Sequence, residues 1–281
     1  MSHPVDGTYT YGDSEVAGDR LAVIASIFGP TTAEFLRRDA RLDGAAPAEL
    51  AVDLGCGPGY TTALLQATTT PVRTVGLERS EAFVLRARVE HAHHGLEFLP
   101  HDVTVLPFPT GPADVVFARY LLAHLPDPVT VRDGWLTEVR PGGRLLIEEI
   151  DHIDTAIDTF ARYLDVVQQM SRGHDTELLI GPVLAAAKPP AGTELVADTL
   201  ARISPDPRTV AHIFAMNLSV WRDDPWVLDH VDPQLVATLA AELDQLRSTA
   251  PSTGITWHHR QLAYRRRTAP TSNSTTSNSN R

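Results

Sequence analysis

Of the 281 residues only one is cysteine, Cys56, which excludes a disulfide framework and a CxxC metal site. Basic residues are the minority, 24 Lys plus Arg against 35 Asp plus Glu, giving a formal net charge of −11. With four tryptophans and no basic aromatic stripe, the composition argues against tight nucleic-acid binding and for a small-molecule partner. No apolar run reaches the roughly 18 residues a membrane span needs, and no amino-terminal stretch reads as a signal peptide. A cytoplasmic location without a membrane partner is therefore expected, and the Asn-x-Ser/Thr matches at Asn217 and Asn273 carry no weight. The length allows one large domain, or a domain with an added cap, around a sizeable core.

The most informative stretch is residues 51–59, Ala-Val-Asp-Leu-Gly-Cys-Gly-Pro-Gly. Val52 and Leu54 read as buried strand positions, and Asp53 stands where the strand ends. Gly55, Gly57 and Gly59 remove the side chains that would hold a ligand away from the main chain. The pattern of Tyr60 to Ala67 is helical, so its first free N–H groups face the same pocket and favour an anionic group such as a carboxylate. Cys56, inside the loop, reads as a small packed residue rather than a nucleophile. The spacing is G-x-G-x-G, not the G-x-G-x-x-G of dinucleotide sites, and no Gly-Lys-Ser/Thr follows as in a P-loop.

With an acidic residue followed by G-x-G-x-G, the chain resembles the class I methyltransferases that use S-adenosylmethionine. Residues 72–78 read as the next strand, ending in Glu78, where a carboxylate accepts from both ribose hydroxyls of a nucleoside. The plainer alternative is a surface glutamate at the start of the helix beginning near Ser80. After a short strand at 96–100, Asp102 matches the family position that accepts from the adenine amino group, and Val103 would offer a backbone N–H to the ring. An aspartate there is also an ordinary turn former. Arg79 and Arg119, beside the second and fourth strand ends, complete the expected cofactor shell together with the loop residues. Similar enzymes carry a Tyr and a Ser-x-x-x-x-x-Arg-Leu pattern ahead of the first strand, matched by Tyr11, Ser14 and Arg20-Leu21. The resemblance implies that Tyr11 covers the methionine end of the cofactor and Arg20 meets its carboxylate, although each also reads as a surface residue.

Residues 113–120 fit a fourth strand buried on both faces, and Leu125-Pro126-Asp127 opens the next helical region. A sharp Arg140-Pro141-Gly142-Gly143 turn precedes a fifth strand at 145–151. Five strands alternating with helices predict a doubly wound α/β sheet with its ligand at the switch point. The resemblance covers residues 9–152 and implies a Rossmann-like seven-stranded sheet with an antiparallel edge strand. Helical patterns at 155–172, 183–188, 208–220 and 233–246, and strands at 193–203 and 255–264, fill the rest. The expected organisation is a helical lead-in at 1–45, the cofactor core at 46–152, the rest of the core with a helical cap between strands 6 and 7 at 153–267, and a disordered tail at 268–281.

The implied activity is methyl transfer from S-adenosylmethionine, leaving S-adenosylhomocysteine, to an O, N, S or C nucleophile of a small organic acceptor. If the acceptor must lose a proton, the candidate bases are His152 just beyond the fifth strand, His124 near the fourth, and Glu149. A hydrogen-bonded structural histidine is the alternative for both imidazoles. His258 and His259 lie on one strand and should face opposite sides. His91, His93 and His94 read as a polar helix end before Gly95, so no metal is expected. Phe214, Met216, Trp221 and Trp226 either line an acceptor cavity or form plain core. Competing functions are a cofactor-binding fold that catalyses a non-methylating reaction such as cyclisation, and an NAD(P)-dependent oxidoreductase; a homodimer stays open.

Overall fold

A computed structural model describes residues 15–42, 47–92 and 95–268. The expectations for Tyr11, Ser14, His93, His94 and the tail from 269 lie outside the described residues. Residues 50–266 supply the strands β1 (Leu50–Leu54), β2 (Arg73–Glu78), β3 (Glu97–Pro100), β4 (Ala113–Arg119), β5 (Val139–Thr155), β6 (Thr193–Ile203) and β7 (Ile255–Arg266). They form one sheet in the order β3-β2-β1-β4-β5-β7-β6. The first five strands run parallel, and β7 pairs antiparallel with both β5 and β6. This is the Rossmann-like α/β architecture expected from the sequence, and its strand order reverses between β1 and β4.

Burial explains the parallel half. All of β1 and five of the seven residues of β4 are buried, because helices cover both sheet faces and an apolar run suits both. On one face Trp135 and Leu136 of α4 (Pro128–Thr137) pack against Val52, Val116 and Leu145. On the other, Phe35 and Leu36 of α1 (Glu15–Asp39) and Leu65 of α2 (Tyr60–Thr69) meet Phe117 and Leu146. Helix α3 (Glu81–Glu90) begins at Ser80, whose hydroxyl accepts from the Phe83 N–H at 3.2 Å.

The Pro-Gly-Gly segment does not interrupt β5, which runs from Val139 to Thr155 with a register shift where the strand was expected to start. Its pairing with β4 ends at Glu148, and from Glu149 to Thr155 it pairs with β7 alone. His152 therefore lies within β5 rather than beyond it. Alternation splits this overhang into two faces: Ile153 and Trp257 point into the cap, while their neighbours His152 and His258 point away.

The cap consists of α7 (Pro207–Trp221), α8 (Pro225–His230) and α9 (Pro233–Thr249), inserted between β6 and β7 as expected, joined by α5 (Asp158–Gly173) from between β5 and β6, which was not expected in it, with α6 (Gly181–Ala186) against β5 and β7. Three cap helices open on Asp-Pro. Asp206, Asp224 and Asp232 accept from the N–H groups of Arg208, Trp226 and Gln234, and the following proline supplies a first helical position that has no N–H to satisfy. The interior is aromatic: Tyr163 stacks on Phe214 at 4.1 Å, and Phe28 of α1 stacks on Trp257 at 4.6 Å. Phe214 and Trp221 are buried there, and Met216 and Trp226 pack against them, so these four residues are core. No helix among the described residues is long and apolar enough to cross a membrane.

Candidate active site

The loop after β1 is lined by backbone at its three glycines. Gly55, Gly57 and Gly59 take φ values of +61°, +53° and +89°, a region that L side chains rarely adopt. A Cβ on Gly55 would stand 2.8 Å from Leu121 Cδ1, and one on Gly59 would stand 2.8 Å from both His91 and Phe98. The Cys56 N–H donates to the Leu77 carbonyl at 3.1 Å, which seats the loop against β2. Cys56 itself is buried, and burial raises its thiol well above the usual value, as befits a packing residue.

Asp53 is the penultimate residue of β1 and is buried. Its Oδ2 accepts from the Thr61 and Thr62 hydroxyls at 2.6 and 2.7 Å, which fixes the first turn of α2 against the sheet. Burial pushes its carboxyl up to about 6 despite those bonds and the Arg119 charge. Helix α2 starts at Gly59 without a side-chain cap, so its opening N–H groups are available to an anionic ligand.

Glu78 ends β2 and clamps the loop. Its Oε2 accepts from the Gly57 N–H at 2.9 Å and its Oε1 from the Ser80 N–H at 2.8 Å. Each oxygen keeps a lone pair for a hydroxyl donor. Asp102, after β3, accepts from the Thr104 N–H and hydroxyl through Oδ1 alone. Val103 is buried, and its carbonyl accepts from Trp135 Nε1 at 2.8 Å. Arg79 is exposed beside Glu78. The structure thus brings Asp53, the glycine loop, Glu78 and Asp102 to the carboxyl ends of three adjacent parallel strands.

The remaining residues sit deeper. Arg20 is buried, and its Nη1 donates to Asn217 Oδ1 at 2.8 Å, joining α1 to α7. Arg119 donates to the Thr32 hydroxyl at 3.1 Å, Thr32 donates to Glu148 Oε2 at 2.5 Å, and Gln261 donates to Glu148 Oε1 at 2.7 Å. Burial raises the Glu148 carboxyl even with Arg119 beside it.

The three candidate bases are not brought together. Glu149 is buried, and its Oε1 accepts from the Leu121 and Leu122 N–H groups at 2.8 and 2.7 Å, holding the 3-10 turn Leu122–His124. Its Oε2 has no hydrogen-bond partner among the described residues, and burial pushes the carboxyl up to about 8. His124, in that turn, is lowered to about 4 by burial and then by the Arg20 charge, so it is neutral and weakly basic at pH 7. His152 is half-exposed on the outer face of the overhang, with Nδ1 at 2.9 Å from Asp151. One pair escaped the sequence: the Tyr120 hydroxyl lies 2.8 Å from His259 Nε2, and Tyr120 takes φ 53° directly after β4. Its place after a strand's carboxyl end was the available signal, but a pairing across 139 residues is not visible in a sequence.

The sheet order and the strand-end residues define a Rossmann-like α/β protein with a polar cluster at the carboxyl ends of its strands, and known proteins share parts of it. Residues 52–147 match the family model described as Methyltransferase domain. A trans-aconitate 2-methyltransferase of Azoarcus sp. (strain BH72) is 38% identical over 97 residues, 34% of this chain and 37% of that protein. A second, from Methylobacterium nodulans, is 36% identical over 115 residues, 41% of this chain and 43% of that protein. The chain therefore spans well under half the length of these curated relatives. Among solved structures, the [4+2]-cyclase SpnF has a TM-score of 0.52 at 17% identity, covering 95% of this chain and all of that one. Haemonchus contortus phospholethanolamine N-methyltransferase 2 has a TM-score of 0.50 at 16% identity, covering 92% of this chain and 58% of that one. Both likenesses concern the fold.

Proposed function

We propose that the chain transfers the methyl group of S-adenosylmethionine to a nucleophilic O, N, S or C atom of a small organic molecule. The observation that carries this reading is the Glu78 clamp, a carboxylate tied to the Gly57 N–H and keeping acceptor capacity beside an open glycine loop. The residues fit the cofactor. Glu78 would accept from the ribose hydroxyls, Asp102 from the adenine amino group through Oδ2, and the Val103 N–H would meet the ring. The α2 amino terminus and Arg20 would receive the carboxylate, with Asp53 fixing α2. Arg119 and Arg79 would flank the pocket. When bound, the cofactor supplies an electrophilic methyl group on a sulfonium centre.

What the chain then has to do is position the acceptor and exclude water. Weakly basic His124, the backbone-bonded Glu149 and the outward-facing His152 favour an acceptor that is already nucleophilic over one that needs a strong buried base. The trans-aconitate enzymes match this chain over well under half of their own length, so their acceptor does not transfer with the match; here acceptor choice rests with the cap. A cytoplasmic protein that acts without nucleic acid or a membrane agrees with the acidic composition. A second reading, cofactor binding with a non-methylating reaction such as cyclisation, is favoured by the aromatic cap interior and by the fold shared with the [4+2]-cyclase. Incubation with methyl-labelled S-adenosylmethionine and a panel of small acceptors separates the two. Label in an acceptor, abolished in Gly57→Val, supports methyl transfer, whereas acceptor conversion without label supports the second reading.

A further inference from the structure

Beyond the glycine-loop site, the overhang of β5 and β7 carries a second group of chemistry-bearing side chains. His152 and His258 face each other across the two strands with their rings stacked 3.7 Å apart at 15°. Both present Nε2 to one oxygen, Asp154 Oδ2, at 3.9 Å from His152 and 3.0 Å from His258. All three ligand atoms lie within 4.8 Å of one another. We propose that His152, Asp154 and His258 form a site for a late first-row divalent cation such as Zn2+, contrary to the sequence expectation of no metal.

The donor set has the right chemistry. Two imidazoles and a carboxylate, with no thiolate, suit Zn2+, Ni2+ or Cu2+ rather than Mg2+ or Ca2+, and three protein ligands leave a coordination position for water. The support behind the ligands has the right form as well. Asp151 Oδ1 accepts from His152 Nδ1 at 2.9 Å, which sets the tautomer and leaves Nε2 outward, the arrangement that metal-ligating histidines use. Asp151 Oδ2 is in turn held by Arg260 at 2.8 Å, and Arg260 also binds Asp198 at 2.9 Å, so its charge is spent on two carboxylates. His258 supplies the fixed corner: its ring is buried, Nδ1 has no hydrogen-bond partner among the described residues, and Nε2 is aimed at Asp154.

Two ligands of a tetrahedral Zn2+ stand about 3.3 Å apart, so the widest pair must close by about 1.5 Å at most. The groups free to move are the exposed ones, His152 at 41% and Asp154 at 69% side-chain exposure, whereas His258 is at 7%. The bound ion would join β5 to β7 where neither has β4 beside it, on the face opposite Trp257 and the cap.

The test uses the full-length protein, dialysed against a chelator and then titrated with Zn2+ by calorimetry and with Co2+ by visible absorption. One-to-one binding of micromolar affinity, visible d–d bands with Co2+, and a higher melting temperature with Zn2+ are expected. Asp154→Asn, at an exposed position that should not disturb folding, and His258→Gln should each weaken Zn2+ by about a hundredfold, and Asp151→Asn by about tenfold through the lost support. Absence of stoichiometric binding, or binding that is the same in wild type and Asp154→Asn, overturns the proposal.

Discussion

Glu78 holds the loop and is also the proposed ribose ligand, and two substitutions separate these roles better than one. Its oxygens hold the Gly57 and Ser80 N–H groups, so Glu78→Ala loses a loop clamp together with the proposed ribose acceptors. We expect Glu78→Ala to weaken S-adenosylhomocysteine binding by roughly 1.5 to 3 kcal/mol, and Glu78→Gln by less because one carbonyl acceptor remains. Calorimetry of both variants checks this; equal affinity for wild type and Glu78→Ala removes Glu78 from the site. Glu149 supports a pH prediction. Its folded value of about 8 lies above the ordinary 4.5, so the folded chain holds a proton that the unfolded chain releases. Its contribution is fully present below about pH 4.5 and is lost as pH rises through 8. Asp53, raised from 3.8 to about 6, acts in the same sense over a lower window. Glu149→Gln keeps a carbonyl for the Leu121 and Leu122 N–H groups without the ionisation, so its stability relative to wild type should rise by roughly 2 to 4 kcal/mol between pH 5 and pH 8. Denaturant melts at the two pH values measure the difference, and a pH-independent difference contradicts the assignment.

Among the elements, legibility followed periodicity and chain separation. Strand β6 was readable to the residue, Thr193–Ile203, because an edge strand alternates between half-buried and exposed positions. Helix α8 was missed because six residues are too few for a helical period, although Asp224-Pro225 carries the same start signal as Asp206-Pro207 and Asp232-Pro233. The full length of β5 was hidden by Pro141-Gly142-Gly143, which reads as a break but lies within a register shift between β4 and β5. The glycine loop and Glu78 were legible because each lies at a strand end in local sequence. The Arg119-Thr32-Glu148-Gln261 network and the Tyr120-His259 pair were not, because only the folded sheet brings them together. Element packing also sets an energetic expectation: Trp221→Ala should cost about 3 to 5 kcal/mol, since the indole is buried and its Nε1 donates to the Tyr163 hydroxyl at 3.3 Å. Urea unfolding reads this cost; a loss under 1 kcal/mol would mean that the cap is not packed as described.

At the scale of the whole molecule, cofactor half and cap share structure rather than abutting. Helix α1 sends Phe35 to the sheet and Phe28 into the cap, and β7 runs through both as Tyr264 in the sheet core and Trp257 under the cap. Unfolding should therefore follow one transition by tryptophan fluorescence and by far-ultraviolet dichroism, and two separated transitions would show independent units. The same continuity places the loop, Glu78 and Asp102 at one sheet edge, where Tyr120 and the cap close over the neighbouring strand end. The central claim, that this edge binds an adenosyl sulfur cofactor, is tested most directly by parallel calorimetric titration with S-adenosylmethionine, S-adenosylhomocysteine and NADH. Micromolar binding of both sulfur nucleosides, with no heat from NADH and with loss of binding in Gly57→Val, is the predicted result. Binding of NADH alone, or unchanged binding of S-adenosylmethionine in Gly57→Val, would contradict it.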